Sequence, residues 1–307
     1  MKYLLAAGLV CLTASITYAG QASNAPGVPE SVTVTLEPKH GKTIPPVEAQ
    51  DLQVKEAGER RPVEAFTPLA QRGMQLLFLI DNSARGTFDT EIPTLKQFIT
   101  SLPPNFEVAV AYMQNGMAVM TANFTPDHAA AANGIRVAVG PGGADVSPYD
   151  SLTDAIKKWP AVNPDVRKEV IMISSGIEGL GGGFNPENPY VDAGIRSAQK
   201  AGVVVYTIYS PSVGHLGHSF WRNTWGQNFL SMLSDGTGGE SYMIGYGSPV
   251  SFQPFLQQIA AQWQNQYLLS FSARPENKSE MEPLKVSVID KDATIAAPDR
   301  VFVRAGM

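Results

Sequence analysis

Asp81, Asn82 and Ser83 follow five apolar residues, Leu76 to Ile80, and this junction is the most chemically suggestive point in the chain. An uninterrupted apolar run and then an abrupt polar turn describe a strand buried on both faces, delivering polar side chains at its carboxyl end. In open α/β sheets that end is where ligands bind. The plainest role for Asp81 and Ser83 is to tie down the loop and cap the helix that follows. Elsewhere the chemistry is thinner. His215-Leu-Gly-His218, with Trp221 and Trp225 nearby, suggests a transition-metal pair and with it a metal-dependent hydrolase. The spacing lacks the i, i+4 helical placement and the adjacent Glu of such enzymes, so an exposed loop held by aromatics is the alternative. The glycines at 176, 179, 181, 182 and 183 fit no phosphate-cradling motif, and no Gly-x-Ser-x-Gly elbow occurs. The chain reads as a binding protein rather than an enzyme.

The elements around these residues alternate. Phe88, Ile92, Leu95, Phe98, Ile99 and Leu102 are spaced for one face of a helix. Phe106 to Met113 is a second strand; Gln114-Asn115-Gly116 is a hairpin turn, with Met117 to Thr121 returning antiparallel as a short edge strand. A helix is predicted over Asp127 to Val139, with Asn133-Gly134 in its interior, and another over Tyr149 to Trp159. Buried strands follow at Glu169 to Ser174 and Val203 to Tyr209, with a helix from Val191 to Ala201 between them. Asn228 to Leu233 gives a helix ending at Asp235-Gly236, then a last core strand reaches Tyr242 and a final helix spans Phe252 to Trp263. This pattern implies a doubly wound, mostly parallel sheet with helices on both faces. Short alternating runs at Ser31 to Leu36, Asp51 to Lys55 and Pro62 to Phe66 precede it. Others at Gln266 to Ser272, Leu284 to Ile289 and Arg300 to Val303 follow, and the two sets should pair as one accessory β unit.

Several of these residues resemble von Willebrand factor A domains. Asp81 and Ser83 match the Asp-x-Ser-x-Ser motif that such domains place after the first core strand, although Arg85 stands at the second serine. Thr237-Gly238-Gly239 followed by Tyr242 matches a second characteristic passage. Val54-Lys-Glu56-Ala-Gly58 and Val63-Glu-Ala-Phe66 are similar to the lead-in of acidobacterial-type von Willebrand A-related proteins. The resemblance runs from about Val32 to Val303. Together with the residue patterns, it divides the chain into an expected signal peptide over 1–19, a flexible leader over 20–30, an N-terminal β segment over 31–70, a von Willebrand A-like domain over 71–265 and a C-terminal β segment over 266–307 packing with 31–70.

The resemblance also implies a metal-ion-dependent adhesion site built from three loops, holding Mg²⁺ or another divalent cation. Asp81 and Ser83 are its ligands in the first loop. In the second, Ala144-Asp145-Val146-Ser147-Pro148-Tyr149-Asp150 replaces Gly-Gly-Thr-x-x-Tyr-Asp, so Val146 takes the threonine position. In the third, Ser174-Ser175-Gly176 replaces Ser-Asp-Gly and the aspartate is absent. Asp145, Ser147 or Glu178 could complete the coordination. A guanidinium offers donors and no acceptor, and at ~4 Å from a divalent ion it would cost roughly 8 kcal/mol at an effective dielectric of 20. That equals the worth of micromolar affinity, about 8 kcal/mol. Arg85 otherwise forks onto Asp81 or points to solvent. The site is degenerate, and Asp81, Ser83, Arg85, Asp145, Ser147 and Ser175 remain as a binding face for another protein.

Met1-Lys2-Tyr3, the apolar Leu4 to Ile16, and Thr17-Tyr18-Ala19 form a secretory signal peptide cleaved after Ala19, too short to span a bilayer. The sole cysteine, Cys11, leaves with it, so the mature chain has no thiol chemistry. With 23 Lys and Arg against 28 Asp and Glu, the formal charge is −5, and losing Lys2 makes it one unit more negative. That balance argues against nucleic acid as a partner. No second segment reaches transmembrane length. The expectation is an exported adhesion-like module, periplasmic or secreted, with a purely structural envelope component binding through its β unit as the alternative.

Overall fold

The computed structural model describes residues 27–39, 43–84, 87–140, 147–160, 166–179, 187–211, 219–245, 247 and 249–306. The expected signal peptide, Arg85, Asp145, His215 and His218 lie outside them.

Four strands lead: β1 (Val28–Pro38), β2 (Leu52–Glu56), β3 (Glu59–Arg61) and β4 (Val63–Pro68). The β2–β3 turn has Ala57 at φ 48° and Gly58 at φ 82°, the left-handed pair that a two-residue hairpin requires. The α/β layer follows as β5 (Met74–Asp81), α1 (Thr87–Thr100), β6 (Phe106–Gln114), β7 (Met117–Thr125), α2 (His128–Asn133), α3 (Pro148–Lys157), β8 (Arg167–Ser174), α4 (Pro189–Ala201), β9 (Val203–Tyr209), α5 (Phe220–Thr237), β10 (Ser241–Tyr242) and α6 (Gln253–Trp263). The chain ends with β11 (Gln266–Ala273), β12 (Glu280–Val288), β13 (Ala293–Ala296) and β14 (Arg300–Val303).

The central sheet runs β10-β9-β8-β5-β6-β7, parallel except for β7. All eight residues of β5 are buried, as its apolar run requires of a strand covered on both faces. One core packs Phe78 and Ile80 against Phe88, Leu95 and Ile99 of α1 and Leu256, Ile259 and Trp263 of α6. The other packs Leu77 and Leu79 against Leu152 of α3, Ile195 of α4 and Leu230 and Leu233 of α5. Each such aliphatic side chain contributes roughly 1.5–3 kcal/mol by leaving water.

The leading and trailing strands interleave as two facing antiparallel sheets, β13-β1-β11-β4 and β14-β12-β2-β3, closed over Val34, Val54, Leu269, Phe271, Leu284 and Val303. The accessory unit is therefore a sandwich into which the α/β layer is inserted. Its two connections run side by side, with the Leu69 N–H donating to Gln266 O at 2.8 Å.

Some elements differ from expectation. The helix anticipated over Asp127 to Val139 stops at Asn133, because Gly134 lies against β7, where a Cβ would meet Ala122 Cβ at 2.9 Å. The edge strand β7 extends to Thr125, and α5 begins eight residues before Asn228.

The amino-terminal end of the sheet is joined to the sandwich by a buried polar network. Arg167 Nη1 donates to Trp263 O at 3.1 Å and to Gln266 Oε1 at 2.8 Å, while Gln266 Nε2 donates to Tyr206 OH at 3.1 Å. Trp263 Nε1 donates to Glu169 Oε2 at 3.0 Å. Burial pushes the Glu169 carboxyl up to about 7 even though the Arg167 charge pulls the other way.

Candidate functional site

Asp81 sits at the carboxyl end of the central strand, 7% exposed. Its Oδ1 accepts the Ser83 backbone N–H at 2.8 Å and the Ser83 hydroxyl at 2.7 Å. Its Oδ2 accepts the Ser174 hydroxyl from the end of β8 at 3.2 Å. One carboxylate thus closes its own turn and ties it to the neighbouring strand.

The third loop is fixed in the same manner. The Gly176 N–H donates to Ser174 Oγ at 3.1 Å, and the Ile177 N–H to Ser175 Oγ at 3.4 Å. Gly176 has φ 68°, and a Cβ there would lie 2.3 Å from Gly226 O, so this glycine lets the loop touch α5 backbone to backbone. Ser175, at the position where the resemblance leads one to expect an aspartate, is buried and serves as a loop cap.

In the second loop Ser147 is the N-cap of α3, accepting the Asp150 N–H at 3.1 Å and donating its hydroxyl to Glu178 Oε2 at 2.6 Å. Tyr149 OH donates to Gly176 O at 3.0 Å. Burial first, and then the Glu178 charge, push that phenol well above its ordinary value. The structure therefore joins Asp81 to Ser83 and Ser174, and Ser147 to Glu178, as two separate pairings.

Among the described residues, which leave out Asp145, the donors brought together serve internal hydrogen bonds rather than a shared cation position. Mg²⁺ needs near-octahedral oxygen coordination with carboxylates among the ligands. Here the Asp81 oxygens already accept three hydrogen bonds, and the Glu178 carboxylate holds Ser147. Among the described residues no group of three or more His, Cys, Asp or Glu side chains is placed to hold a metal ion.

The sequence pointed to Asn82 only as part of the polar turn, and not to Arg136 at all. Asn82 Oδ1 accepts Arg136 Nη1 at 3.2 Å and the Val139 N–H at 3.3 Å, drawing the segment after α2 onto the first loop. The Arg136 guanidinium lies 4.0 Å from the Tyr112 ring centroid, a cation–π contact. An Asn beside a strand end was the available signal, since its amide commonly bonds backbone locally.

Around this tied centre the loops expose apolar side chains. Val137 and Val139 follow α2, Phe220 and Trp221 open α5, Ile244 and Val250 lie between β10 and α6, and Met117 and Val119 start β7 at the same edge. These are eight of the ten exposed large apolar side chains among the described residues; Trp221 is 68% exposed and Val250 96%. The Phe220 and Trp221 rings meet edge-on at 5.7 Å.

No family model matches the sequence, and no curated protein matches it. Among solved structures the chain is similar to an aerotolerance-related membrane protein from Bacteroides fragilis NCTC 9343, at 12% identity and a TM-score of 0.44, over 62% of this chain and 98% of that one. It is similar to BatB from Bacteroides thetaiotaomicron at 14% identity and a TM-score of 0.45, over 62% and 97%. It is also similar to the SpRpn10 VWA domain at 12% identity and a TM-score of 0.40, over 60% and 93%. The von Willebrand A-like fold is carried by the chain's own strand order, a mostly parallel sheet with one antiparallel edge strand and helices on both faces. Among the described residues no helix is long and apolar enough to cross a membrane.

Proposed function

We propose that the protein is an exported, non-enzymatic binding module that engages another protein through the loops at the carboxyl edge of its α/β sheet, without a divalent cation. The observation that carries this reading is the gathering of exposed apolar side chains at that edge, above a carboxylate already satisfied by hydrogen bonds. Scattered apolar residues on a surface need no explanation, but a concentration on one edge marks an interaction site. Aromatic anchors such as Trp221 commonly dominate binding energy. Loops on a rigid sheet are where such surfaces are built. In this reading Asp81, Ser83, Ser147 and Ser175 set the loop shapes.

Export is inferred from the signal-peptide pattern of residues 1–19, with the periplasm or the exterior as the working compartment. The test is recovery of the natural partner by the wild type, by Trp221→Ser/Val250→Ser, and by Ile289→Ser, which alters an exposed residue of the sandwich. Loss only in the Trp221→Ser/Val250→Ser variant is expected. Loss only in Ile289→Ser would move the function to the sandwich and favour a structural envelope role.

A further inference from the structure

Between β1 and β14 of the sandwich and the amino-terminal ends of β8 and β9 lies a cavity of about 360 Å³. Val32, Leu268, Val301 and Val203 give it an apolar wall. Its charged lining is one-sided: Arg167, Lys168, Lys200 and Arg304 with Arg72, against Glu30 as the lone acidic residue among the described residues that line it. This is the reverse of the chain as a whole, in which acidic side chains outnumber basic ones.

The four cations other than Arg72 form no ion pair with a carboxylate among the described residues. Lys168 Nζ donates to Ala201 O at 3.1 Å, offsetting the negative end of α4. Lys200 Nζ lies 4.6 Å from the Phe302 ring centroid. Arg167 is 4% exposed, with its Nε buried and without a partner. The single carboxylate is partly spent, since Glu30 Oε1 accepts the Arg304 backbone N–H at 3.2 Å. Compensation of the α4 terminus explains Lys168 and accommodates Lys200. It leaves Arg304, brought from the far end of the chain, without a reason to join them, while Arg167, held by Trp263 O and Gln266 Oε1, keeps only its Nε without a partner. A cleft lined by one sign of charge between low-dielectric walls concentrates the opposite charge.

We infer that this cleft binds a small organic anion, one carrying two negative charges as phosphate or carboxylate on a body with an apolar flank. The volume is at the small end of the ligand-pocket range of roughly 300–1,000 Å³. Because its walls come from both units, the occupant bridges the sandwich and the α/β layer and stabilises their junction.

Phenyl phosphate and phthalate present this chemistry in its two forms. The test follows the melting temperature of the full chain against the concentration of each at constant ionic strength, in the wild type and in Lys200→Gln/Arg304→Gln. Both substituted side chains are exposed, and the variant's melt without ligand reports whether its fold is kept. The expected result is a saturating rise with at least one compound, with a midpoint shifted about tenfold or more in the variant, as for loss of charge-assisted contacts. Preference for phenyl phosphate assigns phosphate chemistry, and preference for phthalate assigns carboxylate. No rise with either compound, an equal midpoint in the variant, or a rise reproduced by sodium chloride overturns the inference.

Discussion

The two ends of the central sheet are built on opposite plans. At the amino-terminal end, Arg167, Glu169, Trp263, Gln266 and Tyr206 are buried and hydrogen-bond one another, fastening the sheet to the sandwich, with Arg167 Nε and Glu169 Oε1 left without a partner. At the carboxyl end Asp81 is tied by short hydrogen bonds within and between the loops, and exposed apolar side chains such as Trp221 and Val250 stand around it. One end is committed to the molecule's own architecture, and the other is the end we propose for a partner. The difference teaches that a buried Asp at a strand end need not be a ligand; here its hydrogen bonds shape a surface.

The largest expected effect is at the committed end. Arg167→Leu removes the donor to Trp263 O and Gln266 Oε1 and the positive charge beside Glu169, and should cost about 3–5 kcal/mol in urea unfolding. A loss no larger than that at the loop edge would break the comparison.

Next is a pH dependence. The Glu169 carboxyl is raised to about 7 in the folded protein from an ordinary 4.5, so folding favours its protonated form. Its stabilising contribution is complete below about pH 4.5 and is lost as pH rises through 7, roughly 3 kcal/mol in all. Unfolding free energies of the wild type and Glu169→Gln between pH 4 and 8 should converge in slope only outside that window. A wild-type slope matching the variant throughout would remove Glu169 from the account.

At the carboxyl end, Asp81→Ala strands the Ser83 and Ser174 donors and should cost about 1–3 kcal/mol, less for Asp81→Asn, which keeps an acceptor. The melting temperature of the wild type should be the same in millimolar Mg²⁺ and in EDTA. A metal-dependent rise comparable to the ~2.7 kcal/mol of an ion at a hundred times its dissociation constant would restore a cation to the site. The smallest effect on stability belongs to Trp221→Ser and Val250→Ser, within about 0.5 kcal/mol, since both side chains are exposed.

The α/β layer was legible because its strands are continuous apolar runs bounded by turn residues, as in β5 and β8. The Asn115-Gly116 hairpin, with both residues at positive φ, was legible for the same local reason. Most of α5 was not. Asn223 and Gln227 are buried while Phe220 and Trp221 are exposed, which inverts the helical pattern at its start. β13 is four residues of Ala-Thr-Ile-Ala, too short to show a period. Asp81 and Ser83 could be singled out from sequence, but the bond from Ser174 requires β8 to lie beside β5. The cationic cleft was beyond reach, since its residues span positions 30 to 304 and meet only once the sandwich closes.

The most direct test of the loop-edge account is site-specific photocrosslinking in cells that make the protein, with the reactive group at Val250 or Trp221 and, in parallel, at Ile289 on the sandwich. The account predicts a discrete crosslinked protein from the two loop positions, undiminished by EDTA, and none from Ile289. Crosslinking from Ile289 alone, or loop crosslinks that vanish with EDTA, would contradict it.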